Sequence, residues 1–186
     1  MRILLTNTEF FTHEREVWYR QLDGPIHRLT ESDRDMIDSI VEHINAFYPK
    51  AYAALADEYQ GSMRNQTYFR FLVASRFIRC NFAPLDNVPD FSSSASCTFE
   101  FVPCPLRGEC RHECIVCRPE FDHKLSAAEL RVMRLWCAGE SEDNIAEQLF
   151  ISPCTVHNHI ANAYQRTGIH SRHEFVAYAA KHNLFP

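Results

Sequence analysis

No apolar run in this chain approaches the ~20 residues needed to cross a bilayer. The opening MRILLTNTEFF lacks the basic, then long apolar layout of a secretory leader. A soluble, cytoplasmic protein with no membrane partner is expected. Basic charge is not in excess either: 19 Lys and Arg face 24 Asp and Glu, for a net charge of −5. That balance argues against indiscriminate nucleic-acid binding by the chain as a whole. Internal repeats and long low-complexity tracts are absent. So are a Ser/His/Asp set, a phosphate-cradling loop and paired carboxylates in a supporting context, and no enzyme is expected. What is present is an ordinary apolar content of 46% in 186 residues, enough for one medium domain or two small ones.

The charge is uneven. Residues 1–123 carry 13 basic and 18 acidic side chains, whereas residues 124–186 carry six of each plus five histidines. After a short opening strand or irregular segment, the first zone reads as mostly helical. In TESDRDMIDSIVEHINAFY (30–48), Met36, Ile37, Ile40, Val41, Ile44 and Phe47 form one stripe at helical spacing, with Thr30 and Asp33 near its start. Pro49 stops that helix or opens the next, around AYAALADEY. MRNQTYFRFLVASRFIRC (63–80) reads as a further helix, with a strand over 67–74 as the alternative. Trp18, Tyr19, Tyr48, Tyr52, Tyr59 and Tyr68 suit a small core or a dimer face. MRILLTNTEFF is similar to the first strand of a phospho-receiver domain. Such a domain needs two acids directly after that strand, and Thr6, Asn7 and Thr8 stand there instead.

The second zone, 83–122, has prolines at 84, 89, 103, 105 and 119 and the run SSSAS at 92–96. Long helices are not expected there. CTFEFV (97–102) alternates like a short strand. CPLRGECRHECIVC (104–117) spaces its cysteines C-x5-C-x3-C-x2-C. Without a leader a disulfide framework is not expected, so Cys104, Cys110, Cys114 and Cys117 read as ligands of one structural zinc ion. Cys97 and His112 are substitutes for one ligand. An iron–sulfur cluster is the rival occupant, and reduced, metal-free cysteines are the plain alternative. Metal would supply folding energy that a proline-rich segment cannot draw from a core. Cys137 reads as core filler, Cys154 as tolerated at a helix start, and Cys80 carries no argument.

The third zone, 124–186, is the most legible. Ser126 and Glu129 fit a capping box ahead of Leu130, Met133, Trp136 and Cys137, and Gly139 stops that helix. Ser141 caps a short helix with Ile145, Ala146 and Leu149. Ser152-Pro153 opens a helix to about Thr167, ended by Gly168. Ser171 and Glu174 cap the last, with Phe175, Val176, Ala179 and Ala180. In the helix over 153–167, Val156, Ile160, Ala163 and Tyr164 fall on one face. His157, Asn158, Ala161, Asn162 and Gln165 occupy the other. That face is either merely solvated or a reader of base edges, for which Asn and Gln are suited.

The matching stretches are LSAAELRVMRLWCAGES (125–141), NIAEQLFISPCTVHNHIANAYQRTGI (144–169) and HSRHEFVAYA (170–179). They resemble the LuxR-type helix-turn-helix of bacterial transcription regulators. The residues carrying the resemblance are Leu125, Ser126, Glu129, Gly139, Ile145, Ala146, Leu149, Ile151, Ser152, Thr155, Val156, His159 and Asn162. The resemblance covers about a third of the chain. It implies a four-helix bundle whose helix 153–167 enters the major groove of double-stranded DNA. It further implies phosphate contacts near Ser152, Thr155 and His159, base contacts from His157, Asn158 and Ala161, and a homodimer contact through Phe175, Val176, Ala179 and Ala180. Two positions depart from the family pattern. His157 stands where Lys or Arg is usual, and Asn144 where Glu or Asp is common, and the lost fixed charge lowers phosphate attraction.

The sequence therefore predicts a mainly α protein: a mostly helical regulatory or dimerisation domain over 1–96, a Cys-rich zinc-binding connector over 97–122, and a LuxR-type helix-turn-helix domain over 123–186. The expected function is a sequence-specific DNA-binding transcription regulator. One alternative is an adaptor that binds a protein of the transcription machinery and no longer reads DNA. Another is a metal- or redox-sensing regulator with an iron–sulfur cluster.

Overall fold

The computed structural model describes residues 5–22, 24–82, 85–92, 97–182 and 184–185. Residues 1–4 of the opening segment and 93–96 of the serine-rich run lie outside these. The chain divides into two compact units, 1–122 and 123–186. Among the described residues no helix is long and apolar enough to cross a membrane.

The first unit opens with a small antiparallel sheet ahead of its helices, where a short strand or irregular segment is expected. Strands β1 (Thr8–His13), β2 (Glu16–Gln21) and β3 (Ile26–Arg28) lie in the order β1-β2-β3. Glu14 and Arg15, both at positive φ (51° and 68°), join β1 to β2 and set the register His13 to Glu16. A two-residue loop with both residues left-handed matches the twist of the flanking strands. Three helices follow: α1 (Arg34–Phe47), α2 (Pro49–Glu58) and α3 (Gln66–Asn81), with one 3-10 turn at Gln60–Ser62.

The predicted stripe holds α1 in place. Met36, Ile37, Ile40, Val41 and Ile44 are all buried, and Phe47 packs against the same core. The helix begins later than Thr30, at Arg34. Asp33 turns its carboxylate back to accept from the Thr30 N–H (2.7 Å) and hydroxyl (2.8 Å). Asn65 caps α3 by accepting from the Tyr68 N–H. The 63–80 segment is thus a helix and not a strand. The sheet rests on α3 through Phe10, which is fully buried with Phe82 and Phe91 beside it at ring separations of 5.9 Å.

Residues 97–122 fall inside this first unit. The expected strand over 97–102 reduces to a single bridge between Phe91 and Cys97. The Thr98 N–H donates to the Asp90 carbonyl and the Glu100 N–H to the Asn81 carbonyl, so no ladder forms. The rest of the segment is a series of turns.

The second unit is four helices: α4 (Ala127–Cys137), α5 (Glu142–Leu149), α6 (Pro153–Thr167) and α7 (Arg172–Lys181). Serine caps every one of them, at Ser126, Ser141, Ser152 and Ser171. Each serine hydroxyl accepts from an N–H of the first turn that has no partner within the helix. The core contains Leu125, Val132, Met133, Ile145, Val156, Ile160, Ala163, Ile169, Phe175 and Ala179.

Candidate nucleic-acid interface

The geometry of α6 follows from its ends. The Ser152 hydroxyl accepts from the Thr155 N–H at 3.1 Å and lies 2.8 Å from the Thr155 hydroxyl. Pro153 occupies the first turn, where no N–H partner is needed. Gly168 closes the helix at φ 69°, in the left-handed region that favours glycine. α5 ends at Leu149, and residues 150–152 make a three-residue turn into α6. α6 packs on both α4 and α5.

These constraints fix which side of α6 is covered. Val156, Ile160 and Ala163 are buried, and Tyr164 is half-buried with its hydroxyl accepting from the Trp136 indole N–H at 2.9 Å. The opposite side carries His157, Asn158, Ala161, Asn162 and Gln165, all exposed, as is Ser152. Thr155 and His159 are half-buried at the margin. An exposed row of short donor and acceptor side chains on a rigid, capped helix can meet base edges without first reordering the backbone.

The charges around this face are mixed. His157 Nδ1 lies 3.3 Å from the Glu142 carboxylate at the start of α5, and Asp143 follows it in the same turn. Arg166 on α6 donates to the Lys124 carbonyl and sits 3.5 Å from Glu129. Glu129 is buried, which acts to raise its carboxyl. Hydrogen bonds from Ser126, with Arg166 and His159 nearby, win and hold it below the usual carboxylate range. Arg172 is also committed. It donates to the Trp136 carbonyl (2.8 Å) and the Glu140 carbonyl (3.1 Å) and stacks 4.2 Å over the Trp136 ring, closing the C-terminal end of α4. Sequence patterning does not reveal this cap, because it joins residues far apart in the chain.

The residues expected at a dimer contact do not share one surface. Phe175 and Ala179 are buried in the bundle's own core, where Phe175 packs between Tyr164 and Tyr178. Val176 and Ala180 are exposed. Phe150, in the turn before α6, is 95% exposed at φ 56°, and no periodicity signals it.

The expected zinc ligands are likewise not gathered as written. Cys104, Cys110 and Cys117 line one small cavity, together with Cys80 from the last turn of α3, whereas Cys114 is exposed outside it. His112 lines the cavity, but its Nε2 lies 3.0 Å from the Glu58 carboxylate. Cys97 packs with the aromatic core instead, and burial pushes its thiol well up, with Asp90 adding to the rise. Burial also raises the Cys80 thiol. Arg76 opposes that rise, and Cys117, Cys104 and Cys110 add to it.

A family described as bacterial regulatory proteins, luxR family, matches residues 123–179. The Fimbriae Z protein of Salmonella typhimurium strain LT2 is 41% identical over 63 residues, which is 34% of this chain and 30% of that protein. The chain thus matches less than a third of the relative's length. No solved structure matches.

Proposed function

We propose that this chain, whose residues 123–179 are a LuxR-type helix-turn-helix domain, is a DNA-binding transcription regulator that reads the major groove with α6. One observation carries the reading. The exposed row His157, Asn158, Ala161, Asn162 and Gln165 lies opposite the buried row Val156, Ile160 and Ala163, on a helix that a three-residue turn joins to α5. In a helix-turn-helix the helix before the turn crosses the sugar-phosphate backbone, and the second helix presents side chains to the bases. Asn158 and Asn162 supply amides that can pair with adenine in two places at once. The serine-capped N-terminus of α6, with Thr155, suits a phosphate.

The test is selection of duplexes from a random pool by the full chain, followed by affinity measured against salt. A reader gives a recurring sequence and an affinity that falls steeply as salt rises. Replacing Asn162 or Asn158 with Ala weakens the selected duplex by roughly 1–3 kcal/mol, with little change for an unrelated duplex.

A second reading has its own support. Basic and acidic residues balance over 124–186, and Glu142 and Asp143 stand beside the candidate reading face. Those acids favour an adaptor that binds a protein of the transcription machinery through this surface. Absence of any recurring duplex, with a folded chain, selects it. Pairing of two copies through α7 would rest on Val176 and Ala180, because Phe175 and Ala179 face inward.

A further inference from the structure

The turn-rich segment 103–118 raises a question of stability. Only Val116 is fully buried there, while Leu106 and Ile115 are 49% and 41% exposed. An apolar core does not hold such a segment. Backbone bonds coil it on itself: Arg107 N–H to the Cys104 carbonyl, Cys110 N–H to the Leu106 carbonyl, Glu113 N–H to the Cys110 carbonyl and Val116 N–H to the His112 carbonyl. Gly108, at φ 88°, allows the reversal. Coiling brings Cys104, Cys110 and Cys117 to one side.

Asn81 then places that side against α3. Its buried side chain donates to the Val116 carbonyl at 2.8 Å and accepts from the Arg118 N–H at 2.7 Å. The residue between those two is Cys117, and the residue before Asn81 is Cys80. Four sulfurs thereby border a cavity of about 30 Å³, together with Arg76 and Arg107. Arg76 and Cys110 both line this cavity. The Cys114 N–H donates to the Cys117 sulfur at 3.4 Å and holds that side chain in place.

We infer that Cys80, Cys104, Cys110 and Cys117 form a tetrathiolate site for one zinc ion that fastens segment 103–118 to the end of α3. Four thiolates at about 2.3 Å from the ion would make a closed tetrahedral structural site. Among the described residues no three His, Cys, Asp or Glu side chains already stand as a metal-holding group. Closing the site requires the four sulfurs to turn inward by side-chain rotation, and each thiol would give up its proton on binding. Two guanidiniums at the rim, Arg76 and Arg107, offset the net negative charge of four thiolates on a divalent ion. Cys114 is a neighbour and not a ligand. The site belongs to the first unit and stands whether or not α6 reads DNA.

The test uses the full chain purified without chelator. Elemental analysis should find one zinc per chain. Thiol alkylation of the unaltered protein should modify Cys114 and Cys154 first and spare Cys104, an exposed residue, until a strong chelator is added. Cys114→Ser should keep the ion, and Cys80→Ser should lose it. The alkylation pattern needs no substitution, so misfolding of the Cys80 variant cannot mask the answer. Retention of zinc by Cys80→Ser with loss from Cys114→Ser overturns the assignment. So does Cys104 reacting as fast as Cys154 before chelation, or iron with acid-labile sulfide in place of zinc.

Discussion

Asp90 is the most burdened side chain in the first unit. It is 2% exposed, and Phe10 N–H donates to one of its oxygens at 2.6 Å. Burial pushes its carboxyl up to about 8, the Phe10 bond opposes this, and Glu9, Glu100 and Asp86 add to the rise. The folded state therefore holds a proton that the unfolded chain releases near pH 4, so this group's contribution to stability falls as pH rises from about 4 to about 8. Asp90→Asn should remove that slope and stabilise the unit by on the order of a few kcal/mol at pH 9, read from chemical melts. His182 works in the second unit with the opposite slope. Burial lowers it to about 4, with Lys181 adding to the effect. The unfolded chain takes up a proton first, so stability present above pH 6.5 is lost as pH falls toward 4. His182→Gln should flatten that decline in melts of the second unit. Asn81 offers a third test. Asn81→Ala strips the buried Val116 carbonyl and the part-buried Arg118 N–H of their partner and should cost about 2 kcal/mol in the first unit.

Helices were legible where chemistry marks their ends. Ser126, Ser141, Ser152 and Ser171 announce four starts, and Gly139 and Gly168 two stops, so all of α4 to α7 could be placed from residues alone. These caps are local bonds, three residues apart, and a sequence displays local bonds. Ser152→Ala should cost roughly 1 kcal/mol and lower the melting point of the second unit. The sheet was illegible for the converse reason. β3 is three exposed residues, and β1 is fixed by Phe91 and Asp90, about eighty positions away. Separation along the chain also hid the place of Cys80, 24 positions before Cys104. Spacing within 104–117 favoured Cys114, a sequence neighbour, but the cavity takes its fourth sulfur from α3. The exposed face of α6 was legible because one helical period sets it. For α7 the same period shows that Phe175 and Ala179 are covered without showing by what.

At the scale of the molecule, the chain forms two units with separate cores. The acidic excess lies outside 124–186, where charges cancel, so attraction to phosphate depends on a few placed groups and not on a basic surface. On the proposed function, sequence preference comes from side chains on α6. The most direct measurement is duplex selection repeated with the full chain and with its His157→Ala, Asn158→Ala and Asn162→Ala variants. The account predicts that each variant, still folded, loses preference at its own position in the selected sequence. An unchanged selected sequence bound with undiminished affinity by all three variants would contradict it.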